Sequence, residues 1–255
     1  MNDHASWIES RNKAWRNPTG FLAVTGMHWL NEEPQTFDDV TGSWWATGHT
    51  VHAINFEGNP EEQNWTLEPR AEMMVPMAGG VVEIASRGGN MVLRPRHENS
   101  KMFDLFDGVI TYEYNPAFKV AATLEVNPQS VPISSVIGDL GISMDSAGTL
   151  VFNINGEEAR LTAFTRPDPQ SLYLIFRDLT SGKDTYGTGR YVIASHVDGE
   201  NWEIDFNRSA NFPCAYTDFA TCPVAPIENH LKVSIEAGEK TPKIKSTADG
   251  VVQTA

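Results

Sequence analysis

The chain has 255 residues, 40% of them hydrophobic and 20% charged, long enough to bury a full core without metal or disulfide staples. It carries 19 Lys and Arg against 33 Asp and Glu, a formal charge of −14. Nucleic acid and acidic lipid are bound largely through cations, so neither is an expected partner.

The densest basic group, Arg94, Arg96 and Lys101, is diluted by Pro95, Glu98 and Asp104. No stretch approaches the roughly 20 apolar residues of a membrane span. Residues 1–4 lack the cationic start of a signal peptide. A cytoplasmic location is the expectation, and with it reduced thiols at Cys214 and Cys222.

In chain order, residues 6–16 read as the one clear helix. Ser6 and Glu9 form a capping box, and Trp7, Ile8, Arg11 and Trp15 recur at helical spacing. Asn17-Pro18-Thr19-Gly20 ends it, because proline cannot continue the ladder. Strand signals then take over at 21–30 and 44–56, with Gly48 as a bulge. Polar, proline-bearing 57–70 reads as a loop. Segments 81–84 and 91–93 flank Arg87-Gly88-Gly89-Asn90, a hairpin turn.

Further strands are expected at 108–114, 118–126, 139–142, 149–154 and 159–164, with turns at Gly148 and Asn155-Gly156. The run closes with 172–177, 190–195, 202–207 and 232–235. Pro128 and Pro132 mark 127–136 as a linker. Short strands with turn chemistry between them predict a mainly β fold, a β-sandwich or barrel-like set of sheets with one N-terminal helix. The division that follows is a helix at 1–20, a β-rich lobe at 21–126, a second β-rich lobe at 137–238 and a loose tail at 239–255.

The second lobe holds the unusual chemistry. Arg190, Arg208 and Asp205 read as an ion network that clamps a long loop to the sheet. The sharper reading is an anion site with two bidentate arginines. Gly187-Thr188-Gly189 precedes a strand rather than a helix, so a dinucleotide fingerprint fails. His49 and His52 point to opposite faces of a strand, and His28 reads as a satisfied core histidine. Cys214, Cys222 and His230 are too loosely spaced for a usual zinc site. Two packed thiols are the plainer reading, and a nucleophilic Cys214 would need His196 or His230 as its base.

The segments FRDLTSGKDTYGTGRYV (176–192), DFNRSANFPCAYTDFATCPVAPIENHL (205–231) and IEAGEK (235–240), with FLAVTGMHWLNEEPQTF (21–37), resemble an uncharacterised bacterial family, domain-of-unknown-function family 1684. The family pattern has two prolines before the first cysteine, where this chain has Phe212-Pro213. The resemblance implies a shared fold and names no reaction.

The expected site is a pocket walled by the 180–190 turn and the 207–229 loop. It would take a small, anionic molecule through Thr185, Tyr186, Arg190, Asn207, Arg208, Asn211 and Asn229. If it is catalytic, hydrolysis by Asp205 or Cys214 is the first reading. The alternative is a non-catalytic interaction module presenting Trp44, Trp45 or Trp65 on the first lobe. A metal-binding protein built on Cys214, Cys222 and His230 comes third. No motif requires a cofactor.

Overall fold

The computed structural model describes residues 3–138 and 140–254. Asp139, expected to open a strand, lies outside the described residues. Helix α1 spans Asp3–Trp15, starting ahead of the capping box and ending before Pro18.

The first lobe contains β1 (His28–Trp29), β2 (Gln35–Phe37), β3 (Val40–Thr47), β4 (Thr50–Ile54), β5 (Gln63–Thr66), β6 (Glu72–Met77), β7 (Gly80–Arg87) and β8 (Asn90–His97). They form two antiparallel sheets, in the orders β2-β3-β4-β5 and β1-β8-β7-β6. Trp44, Ala46, Val51 and Ala53 of one sheet and Val82, Ile84, Met91 and Leu93 of the other join one apolar cluster. The alternation of side chains along each strand produces that sandwich.

Trp44 is therefore core, fully buried, and Trp65 stacks on it. Trp45 stacks on His52. Gly48 sits in the turn between β3 and β4 rather than in a bulge, and the expected loop at 57–70 includes β5. The β7–β8 turn runs through Gly88 and Gly89 at φ 57° and 82°, the two positive values that a tight hairpin turn requires.

The outer face of β7 and β8 carries a buried ion network. Glu83 accepts from Arg94 Nε at 2.9 Å and also from Arg96. Both guanidinium groups lie over the Phe21 ring. Burial penalises the Glu83 charge, but its hydrogen bonds and attraction to Arg94 and Arg96 overcome this and hold its pKa below the ordinary value.

After α2 (Lys101–Leu105) come β9 (Lys119–Ile133), β10 (Ile142–Ile154), β11 (Glu157–Phe164), β12 (Ser171–Phe176), β13 (Arg190–Asp198), β14 (Asn201–Asp205) and β15 (Ala210–Asn211). Each strand from β9 to β14 pairs antiparallel with the next, and β14 returns to β9. The result is a closed six-stranded barrel, with β15 added to the edge of β13.

One seam is thin: β11 and β12 share a single pair, Phe164 with Tyr173. The interior holds Leu150, Phe152, Leu161, Leu174, Val192 and Ile204. Residues 231–237 are not the expected last strand. They cross one end of the barrel and add Leu231, Val233, Ile235 and Ala237 to the same core.

Two expectations are corrected here. The linker at 127–136 is largely the outer half of β9, where Ser130 pairs with Asp145 and Pro132 with Ser143. β14 flanks β9 only along Lys119–Thr123, so both prolines lie where that edge is open and a missing N–H costs little. The tail is not loose: β16 (Ile244–Thr247) and β17 (Gly250–Gln253) form a hairpin. Ile244 packs with Trp15, Met102 and Tyr216.

Candidate functional site

Most of the expected ligand-binding residues face the protein itself. Arg190, at the start of β13, is fully buried and pairs with Asp178 at 2.8 Å. It also donates to the carbonyls of Ile235 at 3.0 Å, Ala237 at 2.5 Å and Glu239 at 3.1 Å. It therefore ties the capping segment to the barrel rim. This is a clamp, but its acid is Asp178, not the expected Asp205.

Thr185 is fully buried and shares a hydrogen bond with Thr180, whose hydroxyl also donates to Asp178. Tyr186 is half-buried, and its hydroxyl donates to the Cys214 carbonyl at 2.7 Å. Asn207 accepts from the Asn115 amide and donates to the Asn115 carbonyl, both at 2.9 Å. Asn211 donates to the Lys240 carbonyl at 2.7 Å.

Asn229 fills the thin seam. Its Oδ1 accepts from the Thr162 amide at 2.7 Å; its Nδ2 donates to the carbonyls of Thr162 at 3.0 Å and Ile175 at 2.8 Å. One side chain thus supplies the rungs that β11 and β12 do not make with each other. Tyr216 and Phe219 are also buried, so protein fills much of the space between the 180–190 turn and the 207–229 loop.

Arg208 and Asp205 lie elsewhere, on a cleft of about 470 Å³ between α1 and the outer wall of the barrel. Its floor follows from strand alternation. Val192, Ala194, Trp202 and Ile204 point inward, leaving Tyr191, Ile193, Ser195, Glu203 and Asp205 outward to line the cleft. Trp7 and Arg11 come from α1, and Lys119 from β9.

The charges here are of two kinds. Arg11 is anchored: Nε bonds the fully buried Glu239 at 2.6 Å, Nη1 reaches Tyr191 Oη and Nη2 the Asn211 carbonyl, both at 3.3 Å. Burial disfavours the Arg11 cation, but Glu239 outweighs this and raises its pKa. Arg208, by contrast, is 39% exposed and pairs with the exposed Asp3 and with Asp205 at 3.4 Å. Lys119 pairs with Glu203 at 3.0 Å, both side chains more than 40% exposed.

Asp205 also caps the turn that follows it, accepting from the Asn207 amide at 3.1 Å. Sequence reading missed Arg11 and Glu239 as partners. The one signal was a cation set between Trp7 and Trp15 on the apolar stripe of the helix.

Cys214 and Cys222 are both buried thiols. Their expected partners bond to other groups: His196 to Gln170 and Gly199, and His230 to the Ala225 carbonyl at 3.2 Å. Among the described residues no group of three or more His, Cys, Asp or Glu is placed to hold a metal ion. His28 bonds Asp39 at 2.6 Å and stacks on Phe37.

A family model described as a protein of unknown function, DUF1684, matches residues 104–240. That span runs from α2 through the barrel to the end of its capping segment. Among solved structures, an uncharacterized protein of Haloarcula marismortui, determined by solution NMR, is 33% identical over 54% of this chain and 78% of that one, with a TM-score of 0.46. No curated protein matches.

Proposed function

The chain belongs to the DUF1684 family, and for this member we propose that it binds a small ampholytic molecule in the cleft between α1 and the barrel. The observation that carries this reading is a cleft of about 470 Å³ lined by Arg208 and Lys119 together with Asp205 and Glu203. That volume lies in the range of small-molecule sites, roughly 300–1,000 Å³.

Exposed ion pairs are worth only about 0–1 kcal/mol each, so Arg208 and Lys119 can exchange their partners for a ligand at little cost. A ligand carboxylate would take Arg208, and its ammonium group Asp205 or Glu203. Trp7 and Tyr191 offer flat apolar surface beside them. Arg11 stays with Glu239 and holds the helix that forms the lid of the cleft. Asp205 Oδ1 is committed to its own turn, so a ligand ammonium would meet Oδ2, the atom 3.4 Å from Arg208.

Thermal-shift and calorimetric titration with free amino acids, short peptides, dicarboxylates and diamines tests this. An ampholyte is expected to bind. Arg208→Ala should then weaken it about tenfold or more, the equivalent of one charge-assisted hydrogen bond. Binding that survives Arg208→Ala unchanged, or a panel with no binder, refutes the reading.

A further inference from the structure

The signature loop brings its two cysteines together, and the cleft under α1 does not use them. Cys214 sits in a short 3-10 turn, Pro213–Ala215. Its backbone N–H donates to Cys222 Sγ at 3.3 Å, so the second sulfur lies against the first cysteine's own backbone. Both side chains are buried in one apolar cluster.

We propose that Cys214 and Cys222 are a thiol–disulfide couple, in which Cys214 attacks an oxidant and Cys222 resolves the product. A buried thiol without donors is inert, whereas one with donors and a nearby cation gains thiolate character. Thr188 Oγ1 lies 3.9 Å from Cys214 Sγ. Lys245 Nζ, paired with Asp218 at 2.7 Å, lies 3.4 Å from the Tyr186 hydroxyl.

The two sulfurs are unequal. The neighbouring Cys222 side chain lowers the Cys214 pKa against the effect of burial, with help from Thr188, Tyr186 and Lys245. Cys214, with burial, raises the pKa of Cys222. Both thiols are buried, so an oxidant reaches them only when neighbouring side chains move. Phe212, Pro213 and Tyr173 line an open cleft of about 460 Å³ on the barrel wall. Phe212 and Pro213 immediately precede Cys214, and Tyr173 packs in the same apolar cluster as both cysteines.

With a hydroperoxide ROOH the steps balance. The Cys214 thiolate attacks the terminal oxygen; an S–O bond forms, the O–O bond breaks and ROH leaves after taking a proton. Cys222 sulfur then attacks the sulfenic sulfur; the S–S bond forms, the S–O bond breaks and water leaves with the Cys222 proton. Two thiols and one hydroperoxide give one disulfide, ROH and water. The bond would fix the 214–222 loop to the far end of β9, because Val136 N–H already donates to the Cys222 carbonyl at 3.0 Å and Val224 N–H to the Ser134 carbonyl at 2.8 Å.

The test treats the reduced, folded protein with hydrogen peroxide, alkylates remaining thiols after unfolding and digests without reductant. Both thiols should disappear together, with a loss of two hydrogens in mass and a peptide linked through Cys214 and Cys222. In Cys222→Ser, dimedone should trap a sulfenic acid at Cys214. In Cys214→Ser, labelling of Cys222 should be at least tenfold slower. Two thiols left intact in the wild type, or Cys214 overoxidised while Cys222 stays free, overturns the couple. Equal labelling of the two variants overturns the assigned roles. The wild-type mass and peptide decide the matter even if a variant does not fold.

Discussion

Replacing Asn229 by alanine removes three hydrogen bonds at once from the β11–β12 seam, at 2.7, 3.0 and 2.8 Å. At a net worth of about 1 kcal/mol each, the loss is about 3 kcal/mol, and more if the orphaned backbone groups stay dry. For a chain of this size that corresponds to roughly 6–12 °C in Tm. Asn229→Asp should be worse at neutral pH. It keeps an acceptor for the Thr162 amide but sets a carboxylate oxygen against the carbonyls of Thr162 and Ile175. Urea unfolding followed by tryptophan fluorescence measures the loss, and amide hydrogen exchange localises it to Thr162. The seam argument fails if Asn229→Asp matches the wild type, or if Asn229→Ala costs less than about 1 kcal/mol against the expected sum.

Arg190→Met should cost about 3–5 kcal/mol, because it leaves Asp178 buried without its cation; pairing it with Asp178→Asn should recover part of that in the same unfolding assay. Glu83 governs part of the acid response. Its folded pKa lies below the ordinary 4.5, so its contribution is whole above that value and is lost as pH falls through the folded pKa. The stability gap between wild type and Glu83→Gln should therefore be widest above pH ~5 and close on acidification; a gap independent of pH would contradict the Arg94–Glu83–Arg96 account.

Local chemistry was legible where it was self-contained. Pro18 marked the end of α1 to within a few residues, whereas Ser6 and Glu9 lie inside the helix, which starts at Asp3 rather than at a capping box. Gly88-Gly89 and Asn155-Gly156 marked their hairpins, because positive φ leaves few residue choices. Gly148 reads in the sequence as a turn, yet it lies within β10 at a bulge, φ 145°. A Cβ there would stand 2.1 Å from the Glu125 carbonyl oxygen. Turn and bulge both ask for glycine, so the residue alone does not separate them. Pro128 and Pro132 misled for a related reason: proline forbids a ladder bond only where a neighbouring strand offers one.

The site was harder to read because its partners are distant in sequence and mostly backbone. Arg190, Asn207, Asn211 and Asn229 have the side chains of a ligand site, but they bind carbonyls and amides of other segments. No side-chain pattern announces a carbonyl 45 residues away, as Ile235 is from Arg190. The cleft under α1 depends on which face of β13 and β14 points outward, and that is settled only by barrel closure.

The tie between Arg11 and Glu239, 228 positions apart, sets an order of events during synthesis. Successive barrel strands can pair as they emerge, since each follows its neighbour in the chain. The seam waits for Asn229, and the anchoring of α1 waits for Glu239. At translation rates of about 5–20 residues per second, that wait is on the order of 10–50 s. The first helix made is therefore among the last pieces fastened, and until then Trp15 lacks Tyr216, the ring it finally packs against at 4.0 Å in a tilted arrangement.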